Sequence, residues 1–392
     1  MKHRKKIVAG LLASVLVFAG CAATDTSSSQ DSTVGSTTTT ATADTTVTSG
    51  TTTTAETTAF TVDVDWSSLP TTDVTLTDDG LVITEAGTYV LTGSTTGQVR
   101  VDTDGYVRII LDGATIASSE GAAIQVDNAE LTVLELADGS VNTVSDAATR
   151  SDEEIDGAIY SSDDLYITGS GTLNVTASFA DGIVGKDDLW IGSGTINVTS
   201  VDDGIRGKDS LTVSGGTITI DATGDGMKSS NDTDLGKGQL TITGGEITIT
   251  TGDDAIKAEQ VLQITGGTID IVSSVEGIEA PVIVIDGGDI SLNASDDGIN
   301  ASASEIVTDG LSITINGGNL TIVMGAGDTD AIDSNGDLTI TGGTLNITAQ
   351  SPFDYDGTGT LTGGTITVNG QQVTELSNQM MGGGRGGGPG GR

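Results

Sequence analysis

Along the middle of this chain an acidic residue, a Gly or Ala and an Ile or Met recur as a short string, and a cation follows three of them. The strings are Asp181-Gly182-Ile183-Val184, Asp202-Asp203-Gly204-Ile205-Arg206, Asp225-Gly226-Met227-Lys228, Asp253-Asp254-Ala255-Ile256-Lys257, Glu276-Gly277-Ile278-Glu279 and Asp296-Asp297-Gly298-Ile299-Asn300. Short carboxylates suit tight turns and hard cations, calcium above all. Turn chemistry accounts well for one Asp in each string and less well for a doubled one. Two readings therefore stand together: an Asp-Gly turn, and calcium held by Asp181, Asp202, Asp203, Asp225, Asp253 and Asp254. An insertion at 229–237 adds Asp232 and Asp234, which with Asn231 offer spaced oxygen ligands in a short turn. Arg206, Lys228 and Lys257 share one repeat position, and Lys186 and Lys208 lie in the same stretch. With an inward Ile or Met between acid and cation, these cations emerge beside the acidic edge. They either balance its charge or form a mixed calcium and cation strip. Such a strip could meet a chain of carboxylated sugars through charge-assisted hydrogen bonds.

The elements that must position these residues are legible as a repeat. Segments beginning at Leu189, Leu211, Leu240, Leu262, Ile283, Ile313, Leu338 and Gly359 are spaced by 22, 29, 22, 21, 30, 25 and 21 residues. Each alternates apolar and polar residues, breaks at a Gly-Gly or Ser-Gly pair, alternates again, and reaches the acidic turn with a short third strand. Three short strands at this period describe one rung of a right-handed parallel β-helix. Weaker units around Leu81, Tyr106, Leu131 and Leu165 bring the expectation to an all-β solenoid of roughly twelve rungs. Equivalent carboxylates then stack about 5 Å apart, where like charges repel by about 3 kcal/mol at an effective dielectric of about 20. Water, opposite charge or a divalent ion must offset that. A second insertion, at 301–310, carries less charge and reads as a spacer.

Composition narrows the chemistry. The acids are 42 Asp and 13 Glu against 15 basic residues, a formal charge of −40. Bulk attraction to nucleic acid is thereby excluded. The one His is His3 and the one Cys is Cys21. Thiol–imidazole pairs, Ser-His-Asp triads and zinc centres are therefore excluded from the body of the chain. Aromatic residues are scarce, at 3%.

The ends read differently from the body. Lys2, Arg4, Lys5 and Lys6 precede the apolar run from Ile7 to Gly20, so 1–20 is expected to be an export signal. Phe18-Ala19-Gly20-Cys21 resembles a bacterial lipobox, which implies lipidation at Cys21 and an anchor on the outer face of a bacterial membrane. Residues 21–59 read as a Thr/Ser-rich disordered tether, 60–370 as the β-helix, and 371–392 as a Gly-rich disordered tail.

The segments Gly157-Ala158-Ile159-Tyr160-Ser161-Ser162-Asp163-Asp164-Leu165, Asp181-Gly182-Ile183-Val184-Gly185-Lys186-Asp187-Asp188-Leu189 and Val201-Asp202-Asp203-Gly204-Ile205-Arg206-Gly207-Lys208-Asp209-Ser210 resemble a bacterial family of carbohydrate-binding β-helix proteins. The resemblance covers about 60–370. It implies a calcium-bearing right-handed β-helix, shaped like pectate lyases, that binds acidic plant polysaccharide such as polygalacturonate as a binder and not an established lyase. The expectation is a monomeric, surface-anchored protein that binds uronate-containing polysaccharide with Ca2+ through Lys186, Arg206, Lys208, Lys228 and Lys257. A calcium-dependent lyase and a structural adhesin or spacer are the alternatives. For a lyase, a Lys among Asp residues should stay charged and make a poor base.

Overall fold

The computed structural model describes residues 62–325 and 329–378, all within one compact unit, Thr45–Arg392. The expected leader at 1–20, Cys21, the tether at 21–59 and the tail from 379 onward lie outside the described residues. Among the described residues no helix is long and apolar enough to cross a membrane.

The repeat folds into a parallel β-helix. One unit contributes Ser210–Val213, Thr217–Ala222 and Met227–Ser229, and each strand pairs in parallel with its equivalent in the next unit. Three stacks result. Sheet I includes Asp188–Ile191, Ser210–Val213 and Gln239–Ile242, and sheet II includes Thr195–Ser200, Thr217–Ala222 and Glu246–Thr251. Sheet III includes Asp181–Gly185, Ile205–Gly207, Met227–Ser229 and Ile256–Ala258, and counts twelve strands among the described residues. Sheets I and II are joined by the long strand Tyr106–Ala117, which pairs with both Leu131–Leu136 and Val141–Ser145.

Alternation decides which side chains turn inward. On sheet III, Ile183, Ile205, Met227, Ile256, Ile278, Ile299 and Ile332 lie in register and are fully buried. Burying each contributes about 1.5–3 kcal/mol against the entropy of ordering the strand. The interior is lined by β-branched residues and Leu, so the shortage of aromatics costs the core little.

Between sheets I and II the two glycines of each pair serve different needs. Gly245 has φ +103°, a left-handed conformation that side chains disfavour. A Cβ on Gly244 would stand 2.7 Å from the Ser214 carbonyl oxygen of the preceding rung.

Two boundaries differ from expectation. Leu81–Ile83 is a sheet III strand, so Leu81 does not open a unit as Leu189 does. The folded body also runs past 370: Gln371–Val373 turns back antiparallel onto Thr365–Val368. Asn369 and Gly370, at φ 49° and 78°, supply the two positive angles a tight hairpin needs. Leu376 then packs on the core.

Candidate functional site

The outward face of sheet III carries the charges. Arg206, Lys228 and Lys257 are direct register partners, flanked by Val184 before and by Glu279 and Asn300 after. The acidic residues form a parallel ladder one turn of chain away. The backbone N–H of Asp203 donates to Asp181 Oδ1 at 3.1 Å, that of Asp225 to Asp203 Oδ1 at 2.9 Å, and that of Asp254 to Asp225 Oδ1 at 3.1 Å. One oxygen each of Asp181, Asp203 and Asp225 thus ties adjacent rungs together, which is the turn role expected of Asp-Gly, while the other faces the cations.

Those second oxygens are engaged by the protein's own cations. Arg206 donates through Nε to Asp181 Oδ2 at 2.7 Å, and Nη2 contacts Asp156 Oδ2. Lys228 Nζ lies 2.7 Å from Asp225 Oδ2 and 3.6 Å from Asp203 Oδ2. Lys257 Nζ lies 2.7 Å from Asp254 Oδ2 and also contacts Glu279. Arg206 is the most enclosed, its side chain 13% exposed. Lys186 stands two residues beyond Val184, 3.6 Å from Asp156 and over the Tyr160 ring. Lys208 stands two residues beyond Arg206, its N–H donating to Gly185, and has no ion pair among the described residues. The five expected cations therefore share one face but not one column.

Titration reflects this crowding. Burial pushes Asp181 up to about 7, against the pull of Arg206. Burial also raises Asp203 and Asp254. Arg206, Lys228 and Lys257 are all held more firmly protonated than usual: burial opposes their charge, but the adjoining carboxylates outweigh it.

Three carboxylate groups bring oxygens within 4.8 Å of one another: Asp181 with Asp202 and Asp203, Asp225 with Asp253 and Asp254, and Asp254 with Glu276 and Glu279. Six of the eight expected metal ligands are among them. Asp232 and Asp234 are in none of these groups. Both are exposed in the 229–237 insertion, Asp234 with its side chain at 63%. Buried Asn231 uses its Oδ1 to accept from the N–H groups of Thr233 and Asp234, and its amide donates to Asp209, so it organises the loop itself.

The family model of carbohydrate-binding domain-containing proteins matches residues 77–329 and 273–380. The chain belongs to this family. A carbohydrate-binding domain-containing protein of Acetivibrio thermocellus is 33% identical over 124 residues, which is 30% of this chain and 43% of that protein. The match thus spans less than half the length of that relative. A solved structure described as a polysaccharide lyase-like protein from C. thermocellum, a gadolinium derivative, is 32% identical and has a TM-score of 0.47. The similarity covers 55% of this chain and 92% of that one.

Four residues of this family member's strip escape a reading of the sequence alone. Asp156 reaches Arg206 across 50 residues of sequence. It stands one residue out of register, since Asp181 pairs with Gly157, and so the repeat alignment hides it. Its loop is pinned by Arg150, which donates to Asp146, Ala147, Ile155 and Gly157 and lies over the Phe179 ring. Glu276, Glu279 and Asn300 were visible in the repeat strings, but their departure from the Asp and Lys pattern concealed their place in the column. Beyond Lys257 the column has no protein cation among the described residues: burial, with neighbouring carboxylates adding, pushes Glu276 up to about 8, Asp297 to about 6 and Asp333 to about 7. Asn300, 7% exposed, donates to Glu276 at 3.0 Å and keeps a buried Oδ1 with no hydrogen-bond partner.

Proposed function

We propose that the outward face of sheet III binds acidic, uronate-containing polysaccharide, with calcium, on a single chain held at the bacterial cell surface by a lipid on Cys21. The observation that carries this reading is the in-register series Arg206, Lys228 and Lys257, with Lys186 and Lys208 beside it. Its spacing offers a donor at each rung to a polymer bearing one carboxylate per sugar. A Lys ammonium has three donors, so Lys228 and Lys257 can add a carbohydrate carboxylate to the protein carboxylates they already hold. Lys208, with no ion pair among the described residues, can offer all of its charge.

The donor set fits a hard cation: all three groups are carboxylates, with the Asn300 amide beside Glu276, and an ion there would share these oxygens with Arg206, Lys228 and Lys257. Asp202 and Asp253 are the exposed members of the two Asp groups. Glu279 shares Lys257, the last cation of the column, and Glu276 and Asn300 lie where the protein's own positive charge runs out. Calcium bound at these residues would supply the positive charge that lets a polyanion approach so acidic a surface. The protein's own part is to fix the donors on a rigid sheet.

The test is polygalacturonate binding by the Lys208→Gln/Lys228→Gln protein. We expect at least tenfold weaker binding, a steep decline with added salt in the parent, and little affinity for neutral glucan at this face. Unchanged affinity with an intact fold would assign these cations to charge balance alone. Ultraviolet-absorbing unsaturated product would instead identify a lyase. The firmly protonated Lys228 and Lys257 argue against such a base.

A further inference from the structure

The outward face of sheet I holds a feature the charged strip does not use. Tyr166 and Trp190 are register partners on adjacent strands, both outward, since Leu165, Ile167, Leu189 and Ile191 on either side of them are buried in the core. Each is partly exposed. The Tyr166 hydroxyl lies over Gly192, where any side chain would collide with it, so the ring reaches across to the chain that carries Trp190. In a chain with only two Trp, a paired Tyr and Trp facing outward is a marked departure from the surrounding Thr, Ser and Gln. Trp190 continues in register to Thr212 and Thr241.

Two residues before Trp190 on the same strand, Asp188 opens a recess of about 450 Å³. Its wall includes Asp187, Ser210, Lys237 and Gln239. The Ser210 hydroxyl donates to Asp188 at 2.6 Å, and Lys237, 45% exposed, contacts Asp209. Acceptors, amide and ammonium donors and a hydroxyl thus stand beside an aromatic surface. The recess itself is polar; the apolar contribution comes from the two aromatic side chains beside it, and aromatic residues with a few placed polar groups are common in small-molecule sites.

We infer that Tyr166, Trp190 and this recess form a second carbohydrate subsite, one that takes a neutral pyranose chain. The aromatic faces are negative and meet the C–H face of a pyranose ring. Carboxylate, Gln and Lys groups at the edge satisfy its vicinal hydroxyls. The charge of the recess chooses neutral over acidic sugar: several carboxylates against the one ammonium of Lys237 repel a uronate. This goes beyond the sheet III reading. It depends on the family's carbohydrate binding but not on what sheet III binds, so either can fail alone.

Trp66 and Trp190 are the only tryptophans. In the full chain, Trp66→Phe leaves Trp190 as the sole reporter of its own surface. Titration with cellohexaose, xylohexaose and mannohexaose, in chelator and at high salt, should give a saturable change in emission with at least one sugar. Tyr166→Ala should then weaken that binding about tenfold or more, and Gln239→Ala, a smaller change on the recess wall, severalfold. In the otherwise unaltered protein Trp190→Ala should abolish neutral-sugar binding and leave polygalacturonate binding as it was. No saturable change with any of the three sugars would overturn the proposal. So would equal neutral-sugar affinity in Trp190→Ala or Gln239→Ala, or an emission change produced by calcium chloride alone.

Discussion

At the scale of single residues, Arg206 is the side chain on which the strip depends. It touches Asp181 and Asp156 and lies 3.7 Å from Asp203, with most of its surface enclosed. Charge pairs at an open surface are worth about 0–1 kcal/mol, but removing one partner of an enclosed pair strands the other charge. Arg206→Gln should therefore cost about 3 kcal/mol at pH 8. Asp181 and its neighbours can take up protons once the guanidinium is gone, so the loss should shrink at pH 5. Denaturant melts at the two pH values check this. An equal loss at both would show that packing of the Arg206 stem, not its charge, holds the loop carrying Asp156. Lys208→Gln, which breaks no ion pair among the described residues, is the control and should leave stability unchanged.

At the scale of elements, the repeat was legible because two local rules agree in the units from Leu211 onward: strict alternation for the strands and paired glycine for the turn. The same alternation foretold that Arg206, Lys228 and Lys257 would share a column, which the register of sheet III shows. Partners brought by irregular chain were not legible. Asp156 comes from a loop whose anchor, Arg150, belongs to no repeat position, and the insertion with Asp232 and Asp234 folds around its own Asn231. Nor did alternation alone single out Tyr166 and Trp190 as register partners, because the unit with Tyr166 is one of the weaker ones. The glycine rule yields a prediction of its own. Gly245→Ala forces a side chain into positive φ, and its Cβ would stand 3.2 Å from the Gly216 carbonyl oxygen. It should cost about 1–3 kcal/mol in urea unfolding. A variant as stable as the parent would mean that the turn can flip to negative φ and that the pair is there only for close approach at Gly244.

At the scale of the whole molecule, 55 acidic residues against 15 basic ones leave a surplus that ion pairs can offset only in part. The surplus is concentrated where the cations end. There Glu276 is pushed up to about 8, Asp333 to about 7 and Asp297 to about 6, and on the lower rungs Asp181 rises to about 7 and Asp164 to about 6. A carboxyl whose folded pKa exceeds its unfolded value binds more protons when folded. Its stabilising contribution is full below the unfolded value of about 4 and is lost as pH rises through the folded one. In chelator, the melting temperature should thus climb as pH falls from about 8 to about 5. Calcium should do at pH 8 what protons do at pH 5. A ligand held only by the folded state adds about 2.7 kcal/mol at a hundredfold excess over its Kd, and its carboxylate ligands must be deprotonated. The gain from calcium should therefore be large at pH 8 and small at pH 5. A calorimetric grid of pH against calcium measures both slopes at once. A rise in melting temperature toward pH 5 that is indifferent to calcium would keep the carboxyl ladder as a source of strain and remove the metal from the account of sheet III.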